Sequence, residues 1–210
     1  VAEHQIKTLV VACNTATAAA IKQLRQEFAG LPIVGIEPAM KPAASQSQTK
    51  RIGVMATRAT LNSEKFRLLF TSLQDQASFV LQPCDGLANA IERDDAIKTE
   101  ALCVDYTRAI GRFGIEAGDL DTLVLGCTHY PFADSVLRSQ VGDGVAFVEG
   151  GTPVARQTRK LLAERGWLTP AHQIAIPEPI LYTTGSKGNL QSAAQRWLEW
   201  HTSVQVLTID

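Results

Sequence analysis

Short apolar runs and amphipathic stretches alternate along the chain. Residues 8–12 form a continuous apolar run, as expected for a parallel strand covered on both faces. Ile21, Leu24 and Phe28 then recur at helical spacing. They predict a helix over about 16–28, capped by Asn14 or Thr15 and stopped by Gly30. The same alternation predicts strands at 32–36, 52–56, 78–82, 123–126, 145–148, 179–183 and 204–209. Helices are predicted at 64–73, through most of 84–113, at 131–141 behind Pro131, at 152–165 behind Thr152-Pro153, and at 190–201. Residues 41–50 are polar, carry Pro42, and read as a crossing segment; residues 57–63 read as a polar turn.

Strand followed by helix, repeated, predicts an α/β fold with parallel sheets and right-handed crossovers. Ligands in such folds collect beyond the carboxyl ends of strands. Two cysteines fall there. Cys13 closes Leu9-Val10-Val11-Ala12 and is followed by Asn14-Thr15. Cys127 closes Leu123-Val124-Leu125-Gly126 and is followed by Thr128-His129. The two frames echo each other and suggest related half-sites facing across one cleft. Opposed thiols suit removal of a proton from one face of a carbon and its return to the other. Each thiol also precedes a helix start, whose partial positive charge lowers a thiol pKa, so easier ionisation is expected of both.

His129 stands two residues after Cys127, on the same side if the backbone is extended. There it could assist proton transfer at Cys127 or polarise a substrate carboxylate. Asn14, Thr15 and Thr128 read as helix caps, and equally as part of an anion pocket at a helix start. Thr57 and Thr60 follow the third strand in the same way. Glu92 reads as a solvated helix position. Cys84 and Cys103 read as small buried hydrophobes. Gly150-Gly151 opens a helix and could bind phosphate, but two glycines and a cap carry little specificity.

Composition narrows the classes. With 210 residues and 45% hydrophobic content, the chain can bury a sizeable core without disulfides or metals. A net charge of −1 with no Lys/Arg stripe gives no nucleic-acid footprint. No apolar run approaches the roughly 18 residues of a membrane helix. Neither nucleic acid nor membrane is therefore expected as a partner. The four cysteines lack CxxC or zinc-finger spacing and read as free thiols in a reducing cytoplasm. The GxSxG, HExxH, GxxxxGK[ST] and GxGxxG motifs do not occur.

Two motifs together, Ala12-Cys13-Asn14-Thr15-Ala16 and Leu125-Gly126-Cys127-Thr128-His129-Tyr130-Pro131, resemble those of the glutamate racemases in the aspartate/glutamate racemase family. Gly53-Val54-Met55-Ala56-Thr57 with Thr60, Glu149-Gly150-Gly151 and Tyr182-Thr183-Thr184-Gly185 extend the resemblance along the chain. It implies interconversion of L- and D-glutamate without pyridoxal phosphate or metal, supplying D-glutamate for peptidoglycan in the cytoplasm. Cys13 and Cys127 would serve opposite faces of the α-carbon. Asn14, Thr15, Thr57, Thr60 and Thr128 would hold the substrate's amino and carboxylate groups. His129 would assist Cys127, and Glu92 would match a family acidic residue.

The implied fold is two pseudo-symmetric α/β halves, residues 1–36 with 145–210 and residues 37–144, with the active site between them. A homodimer is the assembly to test. The family opens with a first strand, an Asp-Ser-Gly-rich loop whose Asp pairs with the first cysteine, and a Pro-Tyr-Gly motif. This chain carries neither motif and reads as a member lacking its first strands and helix. Two other readings stay open: a truncated, inactive member that binds acidic amino acids or a partner, and a racemase for aspartate or a related small acid.

Overall fold

A computed structural model of the protein describes residues 4–170 and 178–208. The first strand, β1 (Leu9–Val11), leads into α1 (Asn14–Glu27) and then β2 (Ile33–Gly35), which pairs parallel to β1 with Leu9 opposite Ile33. One side chain locks this unit. The buried Thr17 hydroxyl on α1 donates to the Val11 carbonyl at 3.0 Å and accepts from the Ile36 N–H at 3.1 Å. It therefore ties the helix to the ends of both strands.

The chain continues through α2 (Met40–Gln46), β3 (Arg51–Ala56), α3 (Arg58–Leu61), α4 (Glu64–Thr71) and β4 (Ser78–Pro83). Then come α5 (Leu87–Glu92), α6 (Ala96–Ile110) and β5 (Thr122–Leu125). A 3-10 turn, Tyr130–Ala133, precedes α7 (Asp134–Val141), β6 (Ala146–Val148) and α8 (Gly151–Glu164). Last are β7 (Leu181–Thr183), α9 (Lys187–Leu198) and β8 (Val204–Val206). Among the described residues every strand pairing is parallel, with helices between successive strands, so the α/β expectation holds.

The core sits on the two faces of a four-stranded sheet ordered β4-β3-β5-β6. Successive strand residues alternate between faces. Met55, Leu123 and Leu125 pack with Leu87, Ile91, Cys103, Ile110 and Leu137 on one side. Ile52, Val54 and Val124 pack with Met40, Ala43, Phe66 and Leu69 on the other. Burying each such side chain contributes about 1.5–3 kcal/mol. Asp121, just before β5, is also buried. It accepts from the Ser47 hydroxyl at 2.6 Å, the Gln48 and Thr49 N–H groups at 2.6 and 2.9 Å, and the Thr122 hydroxyl at 2.9 Å. That pins the segment between α2 and β3 to the sheet.

Several elements differ from expectation. The polar segment 41–50 contains α2, whose Met40, Ala43 and Ala44 are buried; Pro42 is tolerated because it lies in the first turn. The turn at 57–63 contains α3, capped by Thr57. Helix α1 begins at Asn14 rather than near residue 16, and its cap is Cys13 itself. Helix α9 begins at Lys187, capped by Ser186. Strand β6, grouped in the sequence with residues 145–210, is hydrogen-bonded to β5 in the four-stranded sheet. Strands β7 and β8 pair with each other. The expected end of the last strand, Ile209, lies outside the described residues, as do Val1–Glu3. Among the described residues β1 pairs only with β2, and α8 buries none of its side chains. Together β1 and α8 flank an open groove of about 570 Å³ lined by Val10, Ala12, Val154 and Leu162.

Candidate active site

Both cysteines stand just beyond the carboxyl ends of parallel strands, Cys13 after β1 and Cys127 after β5. Cys13 adopts extended geometry, φ −145° and ψ 124°, and its Sγ accepts from the Ala16 N–H at 3.5 Å. It thus occupies the capping position at the start of α1 and remains exposed. Cys127 is reached through Gly126, whose N–H donates to the Met55 carbonyl at 2.7 Å. A Cβ at 126 would lie 2.8 Å from that carbonyl oxygen. Only glycine permits this approach, and Cys127, the next residue, is buried in the same core cluster as Met55.

The two thiols sit in different electrostatic surroundings. Burial raises the Cys127 pKa. The His129 and Tyr130 N–H groups oppose the rise, and the nearby charge of Cys13 adds to it. The expectation of easier ionisation at Cys127 is therefore corrected: desolvation outweighs the local N–H donors.

Around Cys127, His129 Nδ1 lies 3.8 Å from Sγ. On its other side, His129 Nε2 lies 3.7 Å from Glu92 Oε2, an arm carried by α5. Glu92 keeps the solvated position expected of it, with its carboxylate reaching toward His129. Thr128 donates to the Ala12 carbonyl at 3.2 Å rather than capping a helix. Behind His129 and Glu92 opens a cavity of about 340 Å³, bounded by Phe132, Trp197 and the turn at Thr183 and Gly185.

Around Cys13, three hydroxyls form a triangle. Thr15 lies 2.9 Å from Thr57 and 3.1 Å from Thr60, and Thr57 donates to Thr60 at 2.9 Å. Thr57 also accepts from the Thr60 N–H at 3.2 Å, which caps α3. The triangle joins the start of α1 to the loop after β3. Asn14, at the first position of α1, is 6% exposed and lies close to Thr60.

The structure therefore gathers the expected residues into two clusters: Cys13 with Asn14, Thr15, Thr57 and Thr60, and Cys127 with Thr128, His129 and Glu92. The Thr128–Ala12 bond joins them. Sequence reasoning missed Gly126, although a glycine closing an apolar strand is a recognised sign of close backbone approach. Glu149, named in the sequence only within the Glu149-Gly150-Gly151 match, has a carboxylate that accepts from the Gly151 and Thr152 N–H groups and caps α8 in place of Thr152.

The family model described as Asp/Glu/Hydantoin racemase matches residues 1–158. The glutamate racemase of Ectopseudomonas mendocina is 41% identical over 88% of this chain and 67% of that protein. That of Pseudomonas putida is 42% identical over 81% of this chain and 64% of its own length. That of Cupriavidus pinatubonensis is 38% identical over 97% and 73%. The chain thus spans about two thirds of the length of such relatives. Among solved structures, glutamate racemase isoform RacE1 from Bacillus anthracis superposes with a TM-score of 0.79 at 29% identity, over 97% of this chain and 74% of that one. Escherichia coli glutamate racemase, in complex with L-glutamate and the activator UDP-MurNAc-Ala, superposes with a TM-score of 0.77 at 25% identity, over 98% and 76%. With the family model covering most of its length and relatives this similar, the chain belongs to the Asp/Glu/hydantoin racemase family.

Proposed function

We propose that this chain interconverts L- and D-glutamate without a cofactor, with Cys13 and Cys127 as the opposed proton-transfer groups. One observation carries the reading. Both sulfurs stand at the ends of parallel strands that the Thr128–Ala12 bond draws together, and Cys13 is near enough to perturb Cys127.

In this reaction the thiolate on one face takes the proton from the α-carbon. The electron pair stays on that carbon, delocalised into the carboxylate. The thiol on the opposite face then delivers its own proton to the same carbon. One sulfur finishes protonated and the other ionised, the reverse of the start, so each turnover leaves the pair set for the opposite direction. The α-proton is far less acidic than a thiol, so oriented donors must stabilise the carbanion in place. The start of α1 and the hydroxyls of Thr15, Thr57 and Thr60 would hold the substrate's amino and carboxylate groups. Asn14 and Thr128 complete the binding set.

Burial favours the neutral thiol at Cys127, so ionising it needs a nearby proton acceptor. His129, backed by Glu92, supplies one. The substrate cleft lies between the half that begins with residues 1–36 and the half built on the four-stranded sheet, to which β6 belongs. The product would feed peptidoglycan synthesis in the cytoplasm, and a homodimer is the proposed assembly. Among the described residues no helix is long and apolar enough to cross a membrane.

The test is optical. Solutions of L-glutamate and of D-glutamate should both lose their rotation in the presence of the chain, while L- and D-aspartate keep theirs. Loss of rotation with aspartate alone would shift the substrate to the shorter acid. Glutamate binding with no loss of rotation would replace the enzyme by a binding protein.

A further inference from the structure

The side chain of Asn14 poses a question that the proton-transfer chemistry leaves open. Its Oδ1 is sealed from solvent and has no hydrogen-bond partner in the protein. Buried carbonyl oxygens are rarely left so, because they forfeit their hydrogen bonds to water. Asn14 lines a small cavity of about 10 Å³ shared with Glu37, Thr60, Ser63 and Lys65. A space of that size holds a single water where two or more polar groups converge.

The polar groups around it differ in what they have left to offer. The Ser63 hydroxyl is committed, donating to the Thr60 carbonyl at 2.7 Å and accepting from the Phe66 N–H at 3.1 Å. The Thr60 hydroxyl belongs to the triangle with Thr15 and Thr57. Lys65 is different. Its ammonium is held by Glu37 Oε1 at 2.6 Å, which occupies one of three N–H groups and leaves two.

We propose that one buried water fills this cavity, accepting a hydrogen bond from Lys65 Nζ and donating one to Asn14 Oδ1. Lys65 and Glu37 are thereby positioning residues for Asn14. The arrangement fixes the amide's orientation. Oδ1 turns inward to the water, and Nδ2 turns toward the cleft. The reverse flip would aim an N–H donor at the cavity, and the water would then have to pass its protons to Glu37, whose carboxylate is already engaged by Lys65, while the two spare Lys65 N–H groups went unused. Asn14 therefore offers the cleft a donor suited to a carboxylate, not an acceptor for an ammonium group. This last step rests on the proposed glutamate reaction; the water and the amide orientation do not.

An atomic-resolution crystal structure of the chain, with the Asn14 amide refined in both orientations, tests the geometry. We expect one ordered water within hydrogen-bond distance of Asn14 Oδ1 and Lys65 Nζ. An empty cavity, or Nδ2 facing inward, overturns the proposal. The kinetic arm compares the parent with Lys65→Met, Lys65→Arg and Glu37→Gln. Loss of one oriented hydrogen bond should raise the KM for glutamate about 2- to 12-fold in Lys65→Met. The kcat should stay near the parent value, the pattern of lost uniform binding. Glu37→Gln should move KM the same way by less, and Lys65→Arg should restore it. An unchanged KM in Lys65→Met, with only the unfolding midpoint lowered, would show a structural role and overturn the positioning claim. A parent chain that shows the water and the inward Oδ1, yet neither binds nor converts glutamate, supports this geometry and contradicts the proposed reaction.

Discussion

The Thr128 hydroxyl donates to the Ala12 carbonyl at 3.2 Å, bridging the residue after Cys127 to the residue before Cys13. Thr128 is a part-exposed residue, so losing this bond should cost stability little, on the order of 0.5–1.5 kcal/mol. Its consequence for catalysis should be larger, because it holds the approach of two strand ends that carry the thiols. Thr128→Val is expected to lower turnover at least about tenfold, the scale on which small misplacements act, while Thr128→Ser keeps most activity. Unfolding midpoints and kcat measured on both variants check this; a Thr128→Val enzyme with parental kcat would show that the bridge is incidental.

His129 and Glu92 should contribute unequally. His129 is within reach of the Cys127 sulfur, and removing a positioned proton-transfer group costs about 10²–10⁴-fold. The Glu92 contact is 3.7 Å long, and its side chain is 60% exposed. Such solvent-screened pairs are worth about 0.2–1 kcal/mol, less than about tenfold in rate. The expected order in kcat is therefore parent, then Glu92→Gln a few-fold lower, then His129→Asn far below both. An equal loss in the two variants would contradict it.

The four thiols should alkylate in a definite order. Cys13 is exposed and should react first with iodoacetamide. Burial raises the Cys127 pKa, so its thiolate fraction, and hence its labelling rate, should climb only above the ordinary thiol range. Burial pushes the Cys103 thiol up to about 11 and raises Cys84 as well, so both should stay unlabelled until the chain unfolds. Timed labelling followed by peptide mass analysis reads the order. Labelling of Cys127 as fast as Cys13 at neutral pH would contradict the burial account.

Residues 9–12 and 123–126 show why the thiol positions were legible in sequence. Each is an unbroken apolar run that the cysteine follows at once, so the strand end is a local fact; the caps were not, since Cys13 itself caps α1 and Thr128 bonds to Ala12 instead. The ionisation of Cys127 was not legible. A helix-start argument sees only neighbouring N–H groups, whereas the shift is decided by burial in a core cluster that includes Met55, 72 positions back (127 minus 55). Helix α2 was hidden for a related reason: Met40, Ala43 and Ala44 form its apolar face only once the sheet they cover exists. The pairing of β6 with β5 is likewise non-local, and nothing in residues 146–148 names their partner.

Asp121 should govern part of the acid stability. Burial pushes its carboxyl up, but hydrogen bonds from Ser47, Thr49, Gln48 and Thr122 outweigh it and hold the pKa below the usual carboxylate range. A depressed folded-state pKa stabilises the fold above the unfolded value of about 3.9, and that share is lost as pH falls through the folded value. Asp121→Ala should therefore cost about 2–4 kcal/mol at neutral pH, with several donors left unpaired. It should also flatten the loss of stability on the acid side. Urea denaturation of parent and variant across the acid range measures both; parallel curves would show that Asp121 is not the titrating group.

Isotope exchange at the α-carbon tests the two-thiol account most directly. In D₂O, the parent chain given L-glutamate or D-glutamate alone should place deuterium at Cα as the opposite enantiomer forms, while Cys13→Ser and Cys127→Ser should each fail to convert either one. Conversion by either serine variant at the parental rate, or bound glutamate that acquires no deuterium from either side, would contradict the account.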